Sequence, residues 1–185
     1  LASFQEPQLK ASGATALGEA LSLLAQKISS EVVKGSYEEK GDWRPMVFIM
    51  TDGTPTDSYK KGLEEFVVEQ GADVFCIQET KAHPEQVEIT AEDLDGVEAH
   101  WSSAEKKGYS GTLTIVKEPV VSVEHGVGVH KFDNEGRFVI TEHGDILVYN
   151  IYFPNGAMNE DRHNFKMEFL EYMYKHFKEQ LAKGK

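Results

Sequence analysis

Two carboxylates stand where the chain could do chemistry. Asp52 follows the apolar run 46–50 in Thr51-Asp52-Gly53, and Glu79 follows the run 74–77 in Gln78-Glu79-Thr80. Carboxylates at neighbouring strand ends can share a hard cation, which takes oxygen ligands, and two of them leave most of an octahedral shell to water. The same residues have an ordinary use: the aspartate caps amides of its own loop and the glutamate faces solvent. Lys106, Lys107, Tyr109 and Arg137 form the best phosphate-contact set, with Arg162 and Lys166 as outer members. Alone, Lys-Lys is an ordinary solvated pair, the reading that the net charge of −12 favours. His83, His125, His130 and His163 show no metal-ligand spacing, and Thr51-Asp52-Gly53-Thr54-Pro55 lacks the Gly-Lys-Ser/Thr of a nucleotide-binding loop.

The elements that must hold these residues follow from periodicity. Leu17, Ala20, Leu21, Leu24, Ile28 and Val32 recur at three and four, which predicts a helix over 15–34 closing near Gly35. A polar linker, 36–42, leads to the apolar strand 46–50. A helix over about 58–70 turns Leu63, Phe66 and Val67 inward, and a second apolar strand covers 74–77. Strand, helix and strand make a βαβ unit with parallel strands, which places Asp52 and Glu79 at the carboxyl edge where open α/β sheets bind ligands. Beyond a loop containing Pro84, Gly96 and Gly108, short strands at 112–116, 120–123, 137–141 and 145–150 alternate with turn signals and form an antiparallel meander. A last helix over 160–181 buries Phe165, Phe169, Tyr172, Met173, Phe177 and Leu181. The expected fold is α/β: a mixed central sheet with a parallel βαβ core, an antiparallel meander and covering helices, all in one domain.

Composition narrows the partners. The 185 residues include 19 basic and 31 acidic ones, a net charge of −12, which opposes a broad nucleic-acid surface but leaves room for a local basic patch. Cys76 is the one cysteine and sits in an apolar strand, so a buried, inert thiol in a reducing, cytoplasmic setting is expected. No run of about 18 apolar residues occurs, so no membrane segment is expected. A monomer is the expected state, with a homodimer as the alternative.

Two sets of motifs carry family resemblance. Ser12-Gly13-Ala14-Thr15-Ala16-Leu17-Gly18-Glu19-Ala20-Leu21 and Phe48-Ile49-Met50-Thr51-Asp52-Gly53-Thr54-Pro55-Thr56-Asp57 resemble a von Willebrand factor A domain of the tellurite-resistance branch. That resemblance covers about 1–57. It implies that Thr15 and Asp52 match residues of a metal-ion-dependent adhesion site, whose Asp-x-Ser-x-Ser loop has no counterpart here.

From about residue 60 the chain resembles the exonuclease III-like apurinic/apyrimidinic endonucleases. The carrying stretches are Ala72-Asp73-Val74-Phe75-Cys76-Ile77-Gln78-Glu79-Thr80-Lys81, Glu105-Lys106-Lys107-Gly108-Tyr109-Ser110-Gly111, Asn134-Glu135-Gly136-Arg137 and Asn150-Ile151-Tyr152-Phe153-Pro154-Asn155. This resemblance implies Mg²⁺-dependent hydrolysis of DNA phosphodiesters. It makes Glu79 the metal-binding glutamate and Tyr152 the tyrosine that organises phosphate and nucleophile, and it sets the 108–111 loop near DNA. Met50 stands where the family has an asparagine, and the family's Gly-Asp-Phe-Asn motif would follow Lys185.

Taken together, these resemblances lead to the expectation of a recombined or engineered chimera. Residues 1–57 are the von Willebrand segment, 58–185 are half of an endonuclease/exonuclease/phosphatase-like domain, and the junction lies in 53–62. Such a chain would have incomplete active sites and no efficient catalysis. Glu79 and Tyr152 would be catalytic remnants, and Glu79, Asp52 and Thr15 a weak Mg²⁺ or Mn²⁺ site, with no cofactor required. Lys106, Lys107, Tyr109 and Arg137 would remain for phosphate, so DNA binding is expected to be weak. The alternatives are a residual Mg²⁺-dependent DNA phosphodiesterase and a metal-dependent adhesion or scaffolding module.

Overall fold

The computed structural model describes residues 16–37, 40–42, 47, 49, 57–69, 72–87, 96–117 and 119–184. The chain forms two compact units, 1–70 and 71–185. Thr15 and Asp52 lie outside the described residues, as does most of the expected strand 46–50 and with it the parallel partner of the βαβ unit.

In the first unit, α1 (Leu17–Glu31) packs on α2 (Tyr59–Glu64), which runs on as a π-helical turn, Glu65–Glu69. Leu21, Ala25, Leu63, Phe66 and Val67 are its buried apolar residues. The helices cross where both are glycine: a Cβ on Gly62 would sit 2.3 Å from the Gly18 carbonyl oxygen. Ala16 has no side chain to cap α1, and the Asp57 carboxylate does so from a distance, accepting from the amides of Gly18 at 3.1 Å and Glu19 at 2.9 Å. The periodicity located α1 correctly but overran both ends, and Ala20 is exposed.

Among its described residues the second unit holds two three-stranded antiparallel sheets. Strands β1 (Val74–Gln78), β2 (Glu98–Ser102) and β3 (Thr112–Val116) lie in the order β1-β3-β2. Strands β4 (Ser122–Glu124), β5 (Phe138–His143) and β6 (Ile146–Ile151) lie in the order β4-β5-β6. The sheets face each other, β1 and β3 against β6, and β2 and β3 against β5. A short helix, α3 (His130–Asp133), joins β4 to β5, and α4 (Glu160–Ala182) follows β6. The mixed α/β class, the antiparallel strands and the covering helix agree with expectation. The strands divide between two facing sheets, and β1 pairs antiparallel with β3, Ile77 opposite Leu113. Strand β2 escaped the sequence reading because Glu98-Ala99-His100-Trp101-Ser102 carries two polar residues and a histidine, which dilute the apolar alternation.

Both faces of β5 are covered, which explains its near-continuous apolar run Phe138-Val139-Ile140. Phe138 and Ile151 are register partners on the face toward α4, where they join Phe132, Phe169 and Met173 in the core. Phe138 stacks on Phe169 at 5.3 Å, and Phe132 meets the same ring edge-on at 5.1 Å. Asn159 caps α4 by accepting from the Arg162 amide at 2.9 Å, with Glu160 and Asp161 in the positive first turn. Leu181, expected on the inner face, is 73% exposed because α4 outruns the sheet that covers it. Cys76 is also exposed rather than buried. Among the described residues no helix is long and apolar enough to cross a membrane.

The register partner of Val139 is Asn150, which lies between the sheets. Its buried amide donates across the gap to the carbonyls of Ile77 at 3.2 Å and Leu113 at 3.0 Å, and to the Thr114 hydroxyl at 3.1 Å. That one side chain sets β6 relative to the end of β1.

Phe169 touches two other rings of the core, Phe132 and Phe138, and the half-exposed ring of Phe153. Its replacement by alanine is expected to cost about 3–5 kcal/mol in urea unfolding; a loss under about 1 kcal/mol would mean that α4 does not depend on this cluster.

Candidate functional site

Four segments of the second unit converge: the loop after β1, the loop before β3, the turn before β5 and the residue after β6. The first two are zipped by backbone bonds from Thr80 N to Gly111 O at 3.2 Å and from Lys81 N to Ser110 O at 2.8 Å. This crossing forces Glu79, Lys81 and Ser110 into left-handed backbone, at φ 58°, 50° and 50°. Non-glycine residues there cost on the order of 1–3 kcal/mol each and gather at functional sites. Gly111 sits at φ +92°, and a Cβ on it would lie 2.2 Å from the Thr80 hydroxyl oxygen, so a larger residue is strained there and must displace the Thr80 side chain.

Glu79 emerges from this crossing with its side chain 45% exposed, and its carboxylate takes the Lys81 ammonium at 3.1 Å. Lys81 holds the Glu79 carboxyl below the usual carboxylate range. Burial works against that, and the Tyr152 hydroxyl and Arg137 charge reinforce it. Tyr152 moves the other way: burial pushes its phenol up, and donation to Glu79 raises it further. Tyr152 therefore stays a protonated donor beside an ionised carboxylate.

Arg137 ties the remaining parts together. Its side chain is 1% exposed. Its Nη1 donates to the Tyr152 carbonyl at 2.8 Å, its Nε to Glu135 at 2.6 Å and its Nη2 to the Tyr109 hydroxyl at 3.3 Å. The guanidinium also lies over the Tyr152 ring at 5.1 Å. The turn that aims it depends on Gly136, at φ +60°, where a Cβ would lie 2.4 Å from the Ser103 carbonyl carbon. From the first turn of α4, Arg162 reaches the same Glu135 at 2.7 and 3.1 Å and the same Tyr109 hydroxyl at 3.1 Å. Burial opposes ionisation of Glu135, but donation from Arg162 and Arg137 overrides it and leaves the carboxyl below its ordinary value.

Of the residues singled out from the sequence, Glu79, Tyr152, Tyr109 and Arg137 come together. Lys106 lies over the Tyr109 ring at 5.3 Å, and Lys107 is exposed beside it. Asp52 and Thr15 lie outside the described residues. Arg162 belongs to the cluster more closely than its outer ranking suggested. The sequence reading gave Glu135 no role, although it lies inside the Asn134-Glu135-Gly136-Arg137 motif. Its separation from Arg162 by 27 positions hides the contact in one dimension.

A divalent cation finds a limited but chemically suitable donor set. Among the described residues no group of three or more histidines, cysteines or acids could enclose a metal. Glu79 is a partly exposed oxygen ligand, while Glu135 is committed to arginines. One carboxylate, with substrate phosphate and water completing the shell, is a normal arrangement for Mg²⁺.

The chain matches the family model described as Endonuclease/Exonuclease/phosphatase family over residues 51–185. It is 36% identical over 106 residues to an exodeoxyribonuclease of Bacillus subtilis, covering 57% of this chain and 41% of that protein. It is 35% identical over 97 residues to a DNA-(apurinic or apyrimidinic site) endonuclease of Dictyostelium discoideum, covering 52% and 27%. The chain thus spans under half the length of these relatives. An AP endonuclease structure from Archaeoglobus fulgidus aligns with a TM-score of 0.52 at 24% identity, over 60% of this chain and 43% of that one. A 3′ phosphatase from Neisseria bound to a product DNA hairpin aligns at 0.54 and 15% identity, over 91% and 50%. At those identities the two structures speak for the fold.

These matches correct the chimera reading. One family runs from residue 51 through the supposed junction at 53–62, and nothing found supports a von Willebrand fragment. The expectation of an engineered chain without efficient catalysis falls with it, as does the adhesion alternative, since the relatives are DNA-processing nucleases. Residues 51–185 contain all four converging segments, and the chain belongs to the endonuclease/exonuclease/phosphatase family.

Proposed function

We propose that this chain carries the phosphate- and metal-binding part of a Mg²⁺-dependent DNA phosphodiesterase of the exonuclease III and abasic-site endonuclease type. The observation that supports it best is the Glu79–Tyr152–Arg137–Tyr109 cluster, which sets an exposed carboxylate beside oriented donors suited to a phosphate. Glu79 would hold Mg²⁺ or Mn²⁺. The cation would supply charge stabilisation at the phosphoryl oxygens and a more acidic water.

The chain's own residues do the rest. Tyr152 donates to Glu79 and fixes the carboxylate's direction. The Tyr109 hydroxyl meets phosphate oxygens, with the Lys106 ammonium over its ring and the exposed Lys107 adding charge to the same loop, and Arg137 acts from behind as a buried, oriented charge. In a chain of net charge −12, such a local cationic set is what lets an anionic polymer approach at all. The described residues around Glu79 place no free carboxylate or imidazole as a general base; Tyr152, held protonated, does not serve as one.

Cleavage of a duplex carrying one abasic site is expected in Mg²⁺, abolished by chelator and reduced at least about 100-fold by Glu79→Gln. Strand breakage that ignores both chelator and Glu79→Gln would sink the reading, as would no cleavage above buffer.

The Glu79–Tyr152 contact also has a signed pH dependence. Glu79, lowered from 4.5, contributes stability that is present above that value and lost as pH falls through its folded value. Tyr152, raised from 10.0, contributes stability that is full below that value and lost as pH rises through its folded value. The Tm gap between wild type and Tyr152→Phe should therefore stay level from pH 4.5 to 10.0 and close outside it. A gap that closes inside that window would show that the contact does not hold the two groups in these states.

A further inference from the structure

Glu135 makes no contact that would place it in the chemistry, yet it is the only carboxylate in the described structure shared by two guanidiniums. One oxygen accepts from Arg162 Nη1 at 2.7 Å, and the other from Arg137 Nε at 2.6 Å and Arg162 Nη2 at 3.1 Å. Both guanidinium planes are thereby fixed, one from the turn before β5 and one from α4. Without the carboxylate between them, two like charges would face each other at short range.

The consequence appears at Tyr109. Its hydroxyl oxygen accepts from Arg137 Nη2 at 3.3 Å and from Arg162 Nη2 at 3.1 Å. A phenol oxygen has one hydrogen to give and two lone pairs, and here both lone pairs are used. The O–H is what remains, and no acceptor among the described residues takes it. A hydroxyl polarised by two cationic donors and left with its own hydrogen to give suits an anionic oxygen.

We propose that Glu135 is a positioning residue for phosphate: by clamping Arg137 and Arg162 in register it fixes the Tyr109 hydroxyl as a hydrogen-bond donor to a DNA phosphate oxygen. This rests on the phosphodiesterase reading above. It also makes a prediction of opposite sign to simple electrostatics. Neutralising a carboxylate beside a phosphate site should tighten DNA through space, whereas loss of the clamp should weaken it.

The test is fluorescence anisotropy of a short labelled duplex carrying an abasic-site analogue, in chelator and at fixed low salt. Wild type is measured first; absence of saturable binding would overturn the DNA reading and this inference with it. If wild type binds, Glu135→Gln is expected to weaken binding about tenfold, the worth of one hydrogen bond to a charged group. In a Tyr109→Phe background the same substitution should change affinity less than about twofold. Tighter binding by Glu135→Gln, or an equal loss in both backgrounds, overturns the positioning role while the DNA reading stands. Should circular dichroism show Glu135→Gln unfolded, Arg162→Gln is put through the same two backgrounds. It removes one donor to Tyr109 and leaves the Arg137–Glu135 pair; because it also removes a cation it weakens binding in both backgrounds, and the loss is expected to be about fivefold larger with Tyr109 present than in Tyr109→Phe, equal losses overturning the positioning role.

Discussion

A buried guanidinium must have its charge and its donors met, and the site is organised around how Arg137 meets that demand. Leaving such a group unpaired costs about 3–5 kcal/mol. Its three contacts draw on Glu135, the Tyr152 carbonyl and the Tyr109 hydroxyl, which belong to three different segments. Tyr152 N also donates to the Arg137 carbonyl at 2.9 Å, so backbone and side chain hold the same pair of residues twice. Satisfying one buried cation thus fixes where the two tyrosines of the site stand.

The loops that carry Glu79 and Tyr109 are held by another constraint. Their backbones bond to each other at the expense of three left-handed non-glycine residues. Such strain persists only where the surroundings over-determine it, and here β1 and β3, paired throughout their length, supply that rigidity. Asn150 extends it across the sandwich, since its amide reads the carbonyls of both strands from β6, two residues before Tyr152. Glu79 and Tyr152 can meet because one side chain sets the sheets in register.

Electrostatically the cluster is a small exception within an acidic chain. Two arginines share one glutamate and leave a net positive charge, while Lys81 sits against Glu79. Lys81, with the Tyr152 hydroxyl, keeps Glu79 ionised, Arg162 and Arg137 keep Glu135 ionised against burial, and burial with the Glu79 carboxylate keeps Tyr152 protonated. That combination separates a cation-seeking oxygen from phosphate-seeking donors over a few side chains. It suits a phosphodiester, which presents anionic oxygens to both.

The sequence by itself determined the element types and the family motifs, because these are local. Helical periodicity marked α1 and α4, apolar runs marked β1 and β3, and Glu79, Tyr109, Arg137 and Tyr152 stood inside recognisable motifs. It misled where local resemblance was taken for ancestry: a Thr-Asp-Gly loop and a helix start suggested a second parent that the family match from residue 51 does not support. Only tertiary structure decided that the strands divide into two facing sheets, since pairing partners are remote in sequence and polar β2 hides its period. Only tertiary structure brought Glu135 and Arg162 together, because an ion pair across 27 positions leaves no periodic signal in one dimension. Residue types and motifs marked the candidate site; the direction each donor points came from burying Arg137 and from the bonds that burial demands.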